Sequence, residues 1–540
     1  MCGPRTATVG PNAESAVLAV DDPSNSSLDH RWDPWLVALF ATLCSAAWSD
    51  RPSLWLDEFS TISAAKVRTL DQSLATFGWD GVHGFYYLLM RAWFAIVPPI
   101  PWWFRLSSAL CIGIAAAGVV VISTKIMGTT GRTAGSISTR FTANCCGTVF
   151  AILPVTTWAG IEIRSSALVM AVAVWLTLLL VAAASHNTAW YWRAYALFLV
   201  TTGVLSLNTL LIIPVHATIA LLTANESCRK SVFAKWAAST GIALALLTPV
   251  AVHAWRHQSR FQGAVQIDYN VRFVDVAVSQ YFWSNVNFAT FAGAVIAAAA
   301  MLRMGGRRTI SPGTRRLLFT AIAWVVIPTI ARITYSVLIL PPYVPRYQNF
   351  TAPAAGIVLA ICIVIVAQRP AIAAAIIGLF AAFAFPGYYF VQRGPYGMYG
   401  YDFSQIGEVL HQHAKNGDCL LPSETLRDFE GGTIRVLIAS RPDYYPSLND
   451  VALGTSAAKT RVPWDGQVSA SDAQDRVNRC STIFTIEVRD TALAGHQTGE
   501  SLMPGKGFES SPTHHVEESL KFRIVERWQF SRNQIIKLTR

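Results

Sequence analysis

A chain of 540 residues with 52% hydrophobic and only 14% charged side chains is too poor in charge for an ordinary soluble protein, which carries about 25%. A mean hydropathy of +0.37 points to a polytopic membrane protein, with length left over for one small soluble domain. The net charge of +11 does not argue for nucleic acid, because much of it sits in short connections between apolar segments, where positive charge fixes orientation in the bilayer.

Residues 1–31 are polar and rich in Ser, Asn, Asp and Pro, which predicts a disordered cytoplasmic tail. A membrane-crossing helix needs about 20 apolar residues. The first candidate, Trp35 to Trp48, is short. A polar loop with Asp57 and Glu58 follows, and then His83 to Val97, apolar and aromatic but too short to cross, so an interfacial helix. The second crossing runs from Arg105 to Lys125 and exits into Lys125, Arg132 and Arg140, which places that exit in the cytoplasm and the 49–104 loop on the opposite side. Phe141 to Trp158 goes out to GIEIRSS, and Ser165 to Ala184 returns. Ala194 to Ala224 is too long for one upright helix and carries Ser206 and Asn208 at its middle, so a hairpin of two short helices is expected. Trp236–Trp255, Val286–Leu302, Leu317–Leu340, Thr351–Ala367 and Ala371–Val391 follow, with the most basic connection (Arg303, Arg307, Arg308, Arg315, Arg316) again inside. About eleven crossings result, with the N-terminus in the cytoplasm and the C-terminus outside.

Residues 392–402 read as a Gly- and Tyr-rich linker. Residues 403–540 change composition: Asp402 to Lys415 has a helical pattern, and DCLLP at 418–422 and STIFTIEV at 481–488 read as strands. A small extracytoplasmic α/β domain is expected there, and in that compartment Cys419 and Cys480 could pair. The nine cysteines show no metal-ligand spacing.

Ionisable side chains at a membrane boundary are costly unless solvated, paired or used. Asp57 and Glu58 form an adjacent acid pair, able to serve as base, as ligand or simply as caps of the next helix. Trp79, Asp80, His83, Tyr86 and Tyr87, with Trp55, Trp102 and Trp103, could supply a sugar platform, since flat aromatic faces stack on a pyranose while polar tips bind hydroxyls. The bland alternative is an aromatic belt at the headgroups. Glu162 and Arg164 lie together in GIEIRSS, where a surface ion pair is the plain reading. Arg332 lies about 22 Å along its helix, at 1.5 Å per residue, and is expected near the outer boundary facing inward. With Arg346 and Tyr347 of YVPRYQNF it would suit a lipid-linked phosphate, because the guanidinium fork matches phosphate oxygens.

LWLDEFSTIS resembles the Asp-Glu motif of the GT-C superfamily of membrane glycosyltransferases, in the protein O-mannosyltransferase-like branch. HGFYYLLMRAW resembles the His-Pro-Pro-x-Tyr-Tyr motif of that branch, with Gly84 and Phe85 in place of the prolines. WAGIEIRSSAL resembles its Glu-x-Arg-x-Tyr-x-Leu segment, with Ser166 for the tyrosine, and PRYQNFTAP its late Pro-Arg-Tyr segment. The four occur in matching order over residues 35 to about 360, most like actinobacterial lipoglycan mannosyltransferases that use polyprenyl-phosphate-mannose. The resemblance implies a polyprenyl-phosphate-mannose donor, a glycan or lipoglycan acceptor and an active site on the extracytoplasmic face. Polyprenyl phosphate leaves as a stabilised anion, so one base is enough, unlike the carboxylate pair of glycoside hydrolysis. The expected roles are Asp57 as base, Glu58 beside it positioning the acceptor or its neighbours, and Arg164, Arg332, Arg346 and Tyr347 at the phosphate. Trp55, Asp80, His83, Tyr86, Tyr87 and Glu162 would bind sugar or acceptor. No cofactor and no metal are expected.

Overall fold

A computed structural model of the chain describes residues 31–76, 83–128, 131–223, 226–257, 274–339, 343–423, 448–456, 465–490 and 521–540, with positions 272, 435, 459, 499 and 501–502 between them. Asp80 and Trp79, and the 1–30 tail, lie outside the described residues.

Among the described residues, seven helices are long and apolar enough to cross a membrane, and Asp33–Ala46 and Leu207–Leu222 are shorter apolar ones. Thr139–Ala159, in two pieces, and Ala189–Leu205 bring the apolar segments to eleven. In chain order the helices are α1 (Asp33–Ala46), α2 (Leu56–Ile62), α3 (Leu70–Thr76), α4 (Gly84–Phe94), α5 (Pro101–Met127), α6 (Thr139–Ile152), α7 (Pro154–Ala159), α8 (Ser166–His186), α9 (Ala189–Leu205), α10 (Ile213–Thr223), α11 (Arg229–His257), α12 (Val286–Met304), α13 (Pro312–Ile339), α14 (Ala352–Ala367), α15 (Pro370–Pro386) and α16 (Phe403–His413). The segment expected as one crossing from Phe141 to Trp158 is split at Leu153, which turns extended before Pro154, because proline disfavours helical geometry in the residue before it. The expected hairpin breaks at Ser206, which leaves the helical region at φ −160°, and a 3₁₀ turn, Leu207–Ile212, leads into α10.

Helix α5 is central, packing against α1, α6, α8 and α13. Small residues allow this close approach, as is usual between membrane helices: a Cβ on Gly113 would stand 2.1 Å from Thr42 Oγ1. The two ends of the bundle differ. At one, Arg140 pairs with Asp33 at 2.6 Å, the Ser136 amide donates to Gln368 O at 3.0 Å and the Ser311 amide to Thr133 O, so the basic connections gather together. At the other, Ser53, α2 and the C-terminal region meet: Ser404 Oγ accepts from the Leu54 amide and Ser53 Oγ from the Ser404 amide, at 3.1 and 3.0 Å.

The C-terminal region is a six-stranded sheet beside α16, in the order β2–β1–β3–β6–β5–β4, where β1 is Cys419–Pro422, β2 Asn449–Asp450, β3 Thr482–Val488, β4 Ser501–Leu502, β5 Arg523–Gln529 and β6 Asn533–Thr539. Strands β1, β2 and β3 run parallel and the rest antiparallel. Cys419 and Cys480 are joined, with Cα atoms 6.1 Å apart. Asp402, at the start of α16, accepts the Arg532 and Asn533 amides at 2.7 and 2.9 Å, which pins the β5–β6 turn to the end of the linker.

Candidate active site

The site begins where α1 gives way to α2. Trp55 is extended and caps α2, and the Glu58 carboxylate reaches back to accept its backbone N–H at 3.3 Å. Acids in a first turn also suit the positive end of the helix. Ser60 and Thr61 do not cap; their hydroxyls donate back to Leu56 O and Asp57 O.

Glu58 is fully buried and held by Arg105 of α5, whose Nε and Nη2 donate to its two oxygens at 2.8 and 2.7 Å. The Ile163 amide donates to it as well, at 3.1 Å. Arg105 spends its remaining donors on the carbonyls of Ser49, Pro52 and Ser53. This bidentate pair ties the loop entry, α5 and the 160–165 turn into one unit. It lines neither of the two cavities described below.

One residue earlier, about 100° round the helix at 3.6 residues per turn, Asp57 points elsewhere. Its Oδ2 lies 3.2 Å from Arg346 Nη1 and 3.7 Å from Arg164 Nε, and its side chain keeps 23% of its surface. Arg164 Nη2 is also 2.9 Å from His83 Nε2. A guanidinium can only donate, so Nε2 accepts. Arg346 lies over the Trp55 ring at 5.3 Å and beside Tyr347 at 5.8 Å, while Arg332 approaches the Tyr347 ring at 5.9 Å. Tyr347 thus stands between two guanidiniums. Arg332 is buried, as expected for an inward-facing charge. The chain His83, Arg164, Asp57, Arg346, Tyr347, Arg332 brings five separate elements to one place.

Glu162 corrects the expectation of a surface ion pair. It is 1% exposed, its carboxylate accepts from Ser166 Oγ at 3.3 Å, and Arg164 turns to Asp57 and His83 instead. Burial pushes the Glu162 carboxyl up to about 7, against the opposing pull of Arg346. Tyr86 and Tyr87 are buried, so they are not a headgroup belt. Tyr87 lies 6.2 Å from the His83 ring, and burial raises the Tyr86 phenol, with Arg164 and Glu162 among the charges it feels. Trp102 and Trp103 are not at the site: Trp102 Nε1 donates to Ala46 O at the end of α1.

Trp55 and Arg346 open onto a cavity of about 620 Å³, walled by Trp283, Tyr399, Tyr401 and Arg532. Trp283 stacks on Trp158 at 3.9 Å, and Trp55 leans on Tyr399 at 4.7 Å. Trp283 and Ser284 also line a second hollow of about 550 Å³ bordered by Phe383, Pro386 and Val391. Several of these residues escaped the sequence reading. Arg105 could have been found as the only charge opening an apolar span after an acid pair. Arg532, which lies over Tyr401 at 4.7 Å, comes from a region with no motif to mark it. Among the described residues no three His, Cys, Asp or Glu side chains gather as a metal site.

A bundle of apolar helices, an acid-bearing loop at one end and a small sheet beyond it make a polytopic membrane fold. No family model and no curated protein matches the sequence, but solved structures share its fold. ArnT from Cupriavidus metallidurans bound to undecaprenyl phosphate matches with a TM-score of 0.52 at 12% identity, over 93% of this chain and 97% of that one. Its apo state matches over the same shares with a TM-score of 0.56 at 12% identity. The arabinosyltransferase EmbB from Mycobacterium smegmatis aligns with 62% of this chain and 30% of its own at 13% identity, with a TM-score of 0.40, too low to carry weight.

Proposed function

We propose that the protein is an inverting glycosyltransferase that moves a mannosyl residue from a polyprenyl-phosphate donor to a cell-envelope glycan or lipoglycan. The observation that carries this reading is Asp57, held between Arg346 and Arg164 beside an aromatic-walled cavity. A fold neighbour bound to undecaprenyl phosphate supports the lipid carrier. Mannose rests on the motif resemblance, and arabinose or an amino sugar is the alternative.

The chemistry follows from charge. The two guanidiniums pair with Asp57, and a carboxylate so paired is a weak base. A donor phosphate competes for them, because it too matches the guanidinium fork. As the phosphate takes the arginines, the Asp57 carboxylate regains its lone pairs and its basicity. An acceptor hydroxyl then attacks the anomeric carbon from the face opposite the phosphate and gives its proton to Asp57. The bond from that carbon to the phosphate oxygen breaks, and the electron pair leaves with the lipid. The phosphate goes from one negative charge toward two, and Arg346, Arg164 and Arg332 stabilise the charge as it develops. Trp55, Tyr86, Tyr87 and His83 would hold the sugar and the acceptor.

The protein would be a multi-pass plasma-membrane protein with its N-terminus in the cytoplasm and its site outside. The Cys419–Cys480 bond supports this sidedness, since disulfides persist in oxidising compartments. The test is to incubate purified protein with polyprenyl-phosphate-linked mannose, arabinose or an amino sugar and a short mannoside acceptor. Inverted transfer from the mannosyl donor is expected. Preference for another donor would replace the sugar, and transfer from none would remove the enzyme.

A further inference from the structure

Arg532 lines the cavity that Trp55 and Arg346 open onto, and the proposed reaction does not use it. Two other arginines, Arg272 and Arg346, line the same space, together with Asp275. Arg272 pairs with Asp275 at 3.2 Å, and Arg346 pairs with Asp57 at 3.2 Å. Among the described residues the Arg532 guanidinium has no carboxylate partner and donates no hydrogen bond. What it touches is the face of Tyr401, 4.7 Å from the ring centre. Arg532 is exposed, so a molecule in the cavity can reach it.

An exposed arginine is usually a loose one, and this one is held. Its backbone N–H donates to Asp402 Oδ2 at 2.7 Å, and its carbonyl accepts the Arg489 amide at 2.8 Å. Asp402 also takes the Asn533 amide at 2.9 Å and Asn533 Nδ2 at 2.5 Å, and it is 0% exposed. That acid therefore fixes the turn and leaves the guanidinium alone. Gly400 has φ +78°, and a Cβ there would stand 3.3 Å from Arg532 Nε, so the side chain lies along the chain at 400 and 401. A guanidinium resting by its face on a ring keeps its edge donors, in the fork that matches an oxyanion.

We propose that Arg532 binds an anionic group, a phosphate or a carboxylate, on the acceptor glycan, so that acidic acceptors are preferred to neutral ones. This rests on the proposed function: Arg346, Arg164 and Arg332 go to the donor phosphate, which leaves Arg532 for the other substrate. Trp55 links the two places, since Arg346 lies over its ring at 5.3 Å and the Tyr401 ring is 6.3 Å from it. An acceptor ring stacked on Trp55 has its reacting hydroxyl toward Asp57 and the charge on its neighbouring ring toward Arg532. The C-terminal sheet then selects the acceptor, and the helical bundle performs the transfer.

The experiment measures initial rates for the full-length protein in nanodiscs, with saturating polyprenyl-phosphate-linked mannose, arabinose or amino sugar as donor. Three dimannosides serve as acceptors: a neutral one, one with a phosphate on the reducing-end ring and one with a carboxylate there. The wild type should favour a charged acceptor over the neutral one by about tenfold in kcat/KM, the worth of one charge-assisted contact. The phosphate and carboxylate arms show which anion is read. Arg532→Ala should bring that ratio close to one, Arg532→Lys should keep part of it, and Arg532→Glu should invert it and serves if the alanine variant does not fold. A wild-type ratio near one, or a ratio that survives Arg532→Ala and Arg532→Glu, would overturn the role of Arg532 while leaving the proposed function standing. Transfer to none of the three acceptors from any of the donors would overturn both together.

Discussion

Asp57 and Glu58 are neighbours in sequence, and the fold gives them opposite surroundings. Glu58 is sealed in the protein with both oxygens on one guanidinium and two backbone amides on its edges. Asp57 keeps part of its surface open and shares its charge between two arginines drawn from different elements. One carboxylate builds the loop, and the other is the group that the proposed reaction would use. A pair of acids in a motif is therefore not two copies of one function. Helical rotation alone separates the sealed carboxylate from the one left partly open.

The largest expected effect falls on the sealed side. Breaking a buried ion pair by removing one partner costs about 3–5 kcal/mol, because the other charge stays behind. Glu58→Ala or Arg105→Ala should each lower the melting temperature steeply or prevent recovery of folded protein from membranes. Glu58→Leu combined with Arg105→Met should recover much of that loss, since an apolar replacement strands no charge. Single variants that melt like the wild type would remove the contrast drawn between the two acids.

Glu162 gives an intermediate effect with a definite sign. Burial pushes its folded carboxyl up to about 7 from the usual 4.5, so between those values the native protein binds more protons than the unfolded chain. Stability should then fall as pH rises from about 4.5 to about 7, by on the order of 3 kcal/mol, and stay low above that. Glu162→Gln should flatten this slope in melting curves taken across the range. A slope unchanged in the variant would assign it to other groups.

The smallest effect sharpens the open side. Arg532 borders the cavity from the C-terminal sheet and lies over Tyr401. Arg532→Ala should raise the KM for donor or acceptor by roughly tenfold, on the order of 1.4 kcal/mol, with little change in melting temperature. A KM unchanged for both substrates would leave the sheet as a cover only.

Much of the fold was legible in the sequence. Apolar run lengths mark the eleven segments, Ser206 and Asn208 mark the hairpin break, and DCLLP and STIFTIEV mark two strands. The final hairpin, Arg523–Gln529 with Asn533–Thr539, was not read, because charges at Arg523, Glu526, Arg527 and Lys537 interrupt its alternation. Arg527 is in fact buried against Asp490 at 3.0 Å, a pairing no local pattern announces. The candidate site was legible as a set of residues: Asp57, Arg164, Arg332, Arg346 and Tyr347 do come together. Its internal division was not. That Glu58 turns to Arg105 and that Arg164 pairs with Asp57 rather than Glu162 are consequences of helix phase and long-range packing, which a linear motif does not encode.

The central claim is that Asp57 accepts the proton of the incoming hydroxyl. It is tested most directly by the initial rate of sugar transfer for Asp57→Asn against wild type, with melting temperature measured on the same samples. The account predicts a rate lower by about 10²–10⁴-fold in a protein that remains folded. A folded Asp57→Asn protein turning over at the wild-type rate would contradict it.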